Sequence, residues 1–241
     1  MKIKITIAYD GSHYMGSQIQ NSTPQTVMGT FQRVLNTLGI QDTAIASGRT
    51  DRDVHATKQV LHVKLPEYWS NLDKLKAMLN HQLPDSLHVR DITKVDDDFH
   101  ARYSAKTRSY RYLLSDQEPN PFEAKYVSFV KDLDFECIEK TIQTFEGEYD
   151  FKYFMKSGSD IQSSVRTIYK CMAYQHHGKT VLYFEGNGFL RSQIRMMVGF
   201  LLGISEGKLN EEELKEQLTC KAIHSRKLAP PQGLYLAKIR Y

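Results

Sequence analysis

The chain predicts an α+β protein in two halves, and three observations carry that prediction. Apolar and polar residues alternate over 2–9, with Ile3, Ile5 and Ile7 on one side, as in a half-buried strand. From Gln25 the apolar positions switch to helical spacing at Val27, Phe31, Val34, Leu35 and Leu38, and Gly39 ends the run. After residue 105 the same mixture of strand and helix patterns begins again.

Taken in order, Asp10-Gly11-Ser12 breaks the first strand. After the first helix a short strand is expected near 44–47, a loop around Asp51, and a strand from Val60 to Leu65. Leu72, Leu75, Leu79 and Leu83 predict a second helix, and Leu87 to Val95 a strand. In the second half, Arg108 to Leu114 reads as a strand with Tyr110, Tyr112 and Leu114 on one face. Phe135, Ile138, Ile142 and Phe145 form an amphipathic helical stripe. Ser164 to Tyr174 and Thr180 to Phe184 read as a hairpin around His177-Gly178. Phe189 to Ile204 is an apolar helix with basic residues at its start, and Asn210 with Glu213 opens a last helix in the manner of a capping box. Leu234 to Tyr241 is a closing strand after the Pro230-Pro231 break. The expected division is an N-terminal domain over 1–103 and a C-terminal domain over 104–241, with a cleft between them.

Bulk properties narrow the function classes. With 241 residues, 41% hydrophobic and 25% charged, the composition is that of an ordinary soluble globular protein. No apolar run reaches the length of a membrane span, and the N-terminus lacks a signal-peptide pattern. The three separated cysteines, Cys137, Cys171 and Cys220, suggest reduced thiols in a cytoplasmic protein. The histidines do not cluster at metal-ligand spacing, and there is neither a dinucleotide fingerprint nor a P-loop. The net charge of +4 is a mild lean toward anionic partners. Its distribution is more telling: Arg102, Lys106, Arg108 and Arg111 gather around two tyrosines, and Arg191 and Arg195 open the apolar helix. The acidic runs Asp96-Asp97-Asp98 and Glu211-Glu212-Glu213 read as solvated faces.

Three places can carry chemistry. In Gly48-Arg49-Thr50-Asp51, small residues lead into an arginine, a hydroxyl and a carboxylate. In extended backbone Arg49 and Asp51 point the same way, so the guanidinium would keep the carboxylate ionised, ready to act as nucleophile or base. The ordinary alternative is a loop aspartate that caps a turn or joins a surface ion pair. Tyr110 and Tyr112 are either half-buried packing residues or, interleaved with cations, a stacking surface for nucleobases. Arg195, on an otherwise apolar helix beside Met196, Met197 and Val198, either reaches solvent or pairs with a carboxylate such as Asp51.

Six segments in order resemble the tRNA pseudouridine synthase A family. They are Tyr9-Asp10-Gly11, then Gly48-Arg49-Thr50-Asp51 with Val54-His55, then Asp98 to Ala105 leading into Tyr110-Arg111-Tyr112. Val165-Arg166-Thr167-Ile168, Gly186 to Leu190 with Ile194-Arg195 and Val198-Gly199, and Ala229 to Leu236 follow. The resemblance implies two ferredoxin-like domains whose antiparallel sheets meet at a central cleft. It implies a homodimer that binds tRNA, with no cofactor and no metal. The implied reaction is isomerisation of uridine to pseudouridine on the 3′ side of the anticodon stem-loop, tRNA positions 38–40. By match to the family motifs Asp51 is the catalytic aspartate, Tyr110 stacks on the target base, Arg195 pairs with the aspartate, and Arg49 helps displace the base.

Two segments depart from the family pattern. Arg52-Asp53 stands where Ala-Gly usually follows the aspartate, which restricts the backbone if that glycine has positive φ and adds a carboxylate near Asp51. Gly16-Ser17-Gln18 stands where Gly-Trp-Gln is usual, so a large aromatic is missing from a segment expected near the RNA. These departures keep one alternative in view, a weakly active or retargeted tRNA-binding paralogue that assists RNA folding; a third, blander reading is a general RNA-recognition module that reads single strands with aromatics. Retention of Asp51, Arg49, Tyr110 and Arg195 favours the enzyme.

Overall fold

A computed structural model describes residues 1–158 and 161–241. In chain order its first elements are β1 (Lys2–Tyr9), α1 (Val27–Thr37), β2 (Ile45–Ala46), β3 (His55–Lys64), α2 (Leu72–Gln82) and β4 (Leu87–Lys94). They are followed by β5 (Thr107–Ser115), β6 (Ser128–Phe129), α3 (Phe135–Thr141), β7 (Gly147–Asp150), β8 (Val165–His176) and β9 (Lys179–Gly186). The chain closes with α4 (Gln193–Ser205), α5 (Glu211–Leu218) and β10 (Leu234–Arg240). The result is a mixed α and β protein whose described residues include five α-helices.

The chain divides into two compact units, Met1–Lys106 with Tyr235–Tyr241, and Thr107–Leu234. The closing strand was expected to lie with residues 104–241. It lies instead with the first unit, because Tyr235 and Leu236 pair in parallel with His55 and Ala56 of β3. In the first unit the strand order is β4-β1-β3-β10, and β2 also pairs with β3. β1 runs antiparallel to both β3 and β4. Its alternation is the one expected: Ile3, Ile5, Ile7 and Tyr9 are buried while their neighbours are partly exposed. α1 starts where Thr26 caps it, its side chain accepting from Gly29 N–H, and it buries Val27, Met28, Phe31 and Leu35. α2 starts at an Asn71 cap and packs on β4.

In the second unit the order is β5-β9-β8-β7, all antiparallel, with β6 added in parallel to β5. The wholly antiparallel sheets expected from the resemblance are therefore corrected at two pairings, β3–β10 and β5–β6. The β8–β9 hairpin turns at His177 (φ 46°) and Gly178 (φ 69°), the two left-handed residues that a tight two-residue turn requires. An aromatic core forms around Phe154, whose ring centroid lies 5.6 Å from Phe145, 6.2 Å from Phe151 and 5.9 Å from Phe200. All four rings are fully buried, each contributing about 1.5–3 kcal/mol relative to exposure.

The apolar helix expected from Phe189 begins only at Gln193. Ser192 adopts a left-handed conformation (φ 59°) that interrupts helical winding before it. The capping box at Asn210 and Glu213 forms as the sequence predicts, with bonds of 3.0 and 2.8 Å. No helix among the described residues is long and apolar enough to cross a membrane.

Candidate active site

Asp51 lies on the loop between β2 and β3, and hydrogen bonds hold that loop on both sides of the aspartate. Upstream, Ser47 N–H donates to Val60 O at 2.9 Å and the Ser47 hydroxyl to Gln59 Oε1 at 2.6 Å. Gln59 Nε2 in turn reaches Gly48 O at 3.0 Å. Gln59 and Ser47 are each only 1% exposed, so these bonds run in a low-dielectric setting where an unmade one is costly.

Thr50, immediately before Asp51, is buried and held on two sides. Its hydroxyl shares a 2.8 Å hydrogen bond with the Tyr9 hydroxyl at the end of β1. Its N–H donates to the Ser17 hydroxyl at 2.7 Å, and its carbonyl accepts from Ser17 N–H at 3.1 Å. Downstream, Val54 N–H donates to Asp51 O at 3.3 Å and closes a turn through Arg52 and Asp53. Gly11 and His55 hold the far side of that turn. Gly11 N–H donates to His55 Nδ1 at 3.1 Å, the same nitrogen lies 3.2 Å from Asp10 Oδ1, and the imidazole stacks on Tyr235 at 4.7 Å.

The first departure from the family pattern is accommodated here. Asp53 takes the positive φ (62°) that glycine adopts without strain, and aspartate tolerates it better than most residues. Its carboxylate lies 3.5 Å from Arg52 Nε. The added negative charge is thus offset by its own neighbour. The second departure has a structural partner too: Ser17, where the aromatic is missing, is 3% exposed and bonded to Thr50.

Arg49 and Asp51 share this loop, with Arg49 exposed, Thr50 turned inward, and Asp51 half-buried. The other two expected residues lie in the second unit. Tyr110 stands on β5 opposite Phe184 of β9, 9% exposed, and its ring meets Phe189 edge-on at 5.3 Å and 81°. Phe189 is placed by the turn before α4, where buried Gln193 accepts from Leu190 N–H at 2.8 Å. Arg195 is the half-exposed position of α4 between Gln193 and Ile204, all of whose other residues are buried. Its Nε donates to Ala229 O at 2.8 Å, and Ala229 N–H returns a bond to Arg195 O at 2.9 Å.

Tyr112 resolves to the packing role. It is fully buried, its hydroxyl donates to Pro230 O at 2.7 Å and lies 2.7 Å from Ser128 Oγ, and burial pushes its phenol well above the ordinary tyrosine range. The basic cluster seen in sequence is divided. Arg102 and Lys106 belong to the first unit, where Arg102 lies over the Tyr103 ring at 5.7 Å. Arg108 and Arg111 belong to the second, where Arg108 Nη1 donates to Asn187 O at 3.0 Å. Burial, then the nearby Arg108 charge, lowers the pKa of Arg166. Two guanidiniums therefore concentrate positive charge beside the Asn187-Gly188 turn. Among the described residues no cluster of three or more His, Cys, Asp or Glu could hold a metal ion.

Sequence reasoning did not foresee the polar supports of the loop. Tyr9 and Gly11 stood in a recognised segment without a role, and Ser17 stood out only as a departure. Gln59 carried no signal, because its partners lie eleven and twelve residues away across a strand pairing.

A family model described as tRNA pseudouridine synthase matches residues 5–104 and 141–241. The chain is 39% identical over 241 residues, the whole of both chains, to the tRNA pseudouridine synthase A of Campylobacter jejuni strain RM1221. It is 38% identical to that of Helicobacter hepaticus over 99% of this chain and 98% of the relative. With a Geobacillus enzyme of the same name it shares 38% identity over 100% of this chain and 98% of the relative. On the match of both halves to the family model and the full-length similarity to these relatives, the chain belongs to the tRNA pseudouridine synthase family.

Proposed function

We propose that this protein isomerises uridine to pseudouridine on the 3′ side of the anticodon stem-loop of tRNA, acting in the cytoplasm as a homodimer of chains with two ferredoxin-like domains. The observation that carries the reading is the full-length similarity to the Campylobacter relative, and beside it stands a loop whose Thr50 is held on two sides immediately before Asp51.

The chemistry needs few parts. The bond from ribose C1′ to N1 of the base must break, the detached uracil must turn, and C5 must bond to C1′. The C5 proton is lost and N1 gains one, so the reaction is atom-neutral and needs no redox partner. Asp51 is the group that starts departure of the base, as a nucleophile or as a base. The target uridine leaves its stack at a cost of a few kcal/mol, which a tyrosine ring offsets in part by stacking on the extruded base. Tyr110 takes that role, Arg49 helps displace the base, and Arg195 is the arginine that pairs with the aspartate. Supporting these assignments, Thr50 between Arg49 and Asp51 is hydrogen-bonded to Ser17, the Tyr110 ring meets Phe189, and Arg195 donates to Ala229 O. The reading as a weakly active or retargeted paralogue rests on Arg52-Asp53 and Ser17; the positive φ of Asp53 answers its backbone argument.

The test uses tRNA carrying tritium at uridine C5 in the anticodon arm. Wild-type protein is expected to release tritium while Asp51→Ala binds the same tRNA and releases none. Tight binding without release by the wild type would sink the reading.

A further inference from the structure

We infer that Ser17 and Tyr9 are positioning residues for Asp51, gripping Thr50 from two sides so that the aspartate leaves a fixed point. This rests on the functional reading above and adds to it a role for the segment that departs most from the family pattern.

The grip begins on α1. Gly16 O accepts from Val27 N–H at 3.3 Å and Ser17 O from Met28 N–H at 2.9 Å, so the Gly16-Ser17 segment is bonded to the helix's first turn. Ser17 then reaches Thr50 with two groups, its N–H and its hydroxyl. Its N–H donates to Thr50 O at 3.1 Å, its hydroxyl oxygen accepts from Thr50 N–H at 2.7 Å, and its hydroxyl also lies 3.4 Å from Thr50 O. The side-chain contribution needs a hydroxyl acceptor, and tryptophan has none to offer the Thr50 N–H. From the other side Tyr9, at the end of β1, holds the Thr50 side chain at 2.8 Å.

Gly16 (φ 101°) sets the path of this segment through its backbone: a Cβ there would meet Thr50 O at an ordinary contact distance of 3.4 Å, but a side chain is strained at that positive φ. Helix and strand are thus tied to one residue, Thr50, and that residue is the one before the reactive carboxylate. Misplacement of a reacting group by about 1 Å costs about 10²-fold in rate, while uniform binding of a large RNA through other contacts is untouched.

The experiment is the tritium-release assay on wild type, Ser17→Ala, Ser17→Thr and Tyr9→Phe, with kcat and KM for tRNA separated and folding checked by thermal melting. Ser17→Ala and Tyr9→Phe are each expected to lose about 10- to 100-fold in kcat with KM within about twofold of wild type. Ser17→Thr, which keeps the acceptor, is expected to recover most of the Ser17→Ala loss. Should Ser17→Ala fail to fold, Tyr9→Phe carries the test, since it removes one hydroxyl and leaves the serine bonds in place. Variants that turn over within about threefold of wild type, or that lose kcat and raise KM together in step with a lowered melting temperature, overturn the inference alone. No release from the wild type overturns the functional reading and this inference with it.

Discussion

Gly11 is pressed against Val54 so closely that a side-chain carbon added to it would lie 2.1 Å from the Val54 carbonyl oxygen and 2.5 Å from its carbonyl carbon. The obstacle is backbone, and it is the backbone that closes the Asp51 turn through Val54 N–H. Gly11 is therefore required by proximity rather than by its own φ.

Gly11→Ala must displace either the Asp10-Gly11-Ser12 segment or Val54. Overpacking of this kind costs about 1–3 kcal/mol. The expected result is a lower denaturation midpoint together with a fall in kcat, since the displaced strand start carries the turn that holds Asp51. Equilibrium denaturation and the tritium assay read the two effects separately.

The left-handed Asp53 makes the opposite prediction. Asp53→Gly relieves the positive-φ cost and gives up only a partly exposed pair with Arg52, worth about 0–1 kcal/mol. Stability is expected to stay within about 0.5 kcal/mol of wild type, with turnover preserved. Asp53→Val, β-branched in a left-handed position, is expected to lose about 1–2 kcal/mol and to lower kcat. Urea melts of the two variants beside the wild type check the ordering.

The two tyrosines of β5 should separate cleanly. Tyr112→Phe leaves a fully buried Ser128 hydroxyl and the Pro230 carbonyl without the phenol, which costs about 1–3 kcal/mol of stability and leaves tRNA affinity alone. Tyr110→Ala removes the ring proposed to stack on the base, and its loss should appear in turnover. Thermal melts and tRNA binding of both variants, set against tritium release, decide whether the roles divide this way.

His62 gives the fold a pH dependence. It is buried, its Nδ1 accepts from Ala101 N–H at 3.1 Å, and burial, followed by the charges of His100 and Lys2, holds its pKa down to about 4 from an ordinary 6.5. The folded state therefore resists the proton that the unfolded chain takes up. Its contribution to stability is complete above pH 6.5 and is lost as pH falls from there through about 4. The slope is at most about 1.4 kcal/mol per pH unit for one such group. Melting temperatures measured across this range should fall more steeply for wild type than for His62→Gln. Equal slopes would assign the acid sensitivity elsewhere.

What the sequence determined by itself was local. The β1 alternation, the α1 stripe with its stop at Gly39 (φ 77°), the α2 leucines, the Asn210 capping box and the His177-Gly178 hairpin all follow from periodicity and turn chemistry within a dozen residues. Asp51 was legible for the same reason, as a carboxylate after small residues on a loop. Tertiary structure decided the matters that depend on residues far apart in the chain. It set β10 beside β3, a parallel pairing of residues 180 apart in sequence that no local pattern encodes. It sent Tyr112 inward to Ser128 and Pro230, although Tyr110 and Tyr112 look alike in a strand pattern. It delayed α4 to Gln193, since the apolar run gives no sign of a left-handed Ser192. It also turned Ser17 from a missing aromatic into a hydrogen-bond partner of Thr50, thirty-three residues away. A short-range pattern fixes which face of an element is apolar; which distant polar group meets which is settled only when buried donors and acceptors must all be satisfied together.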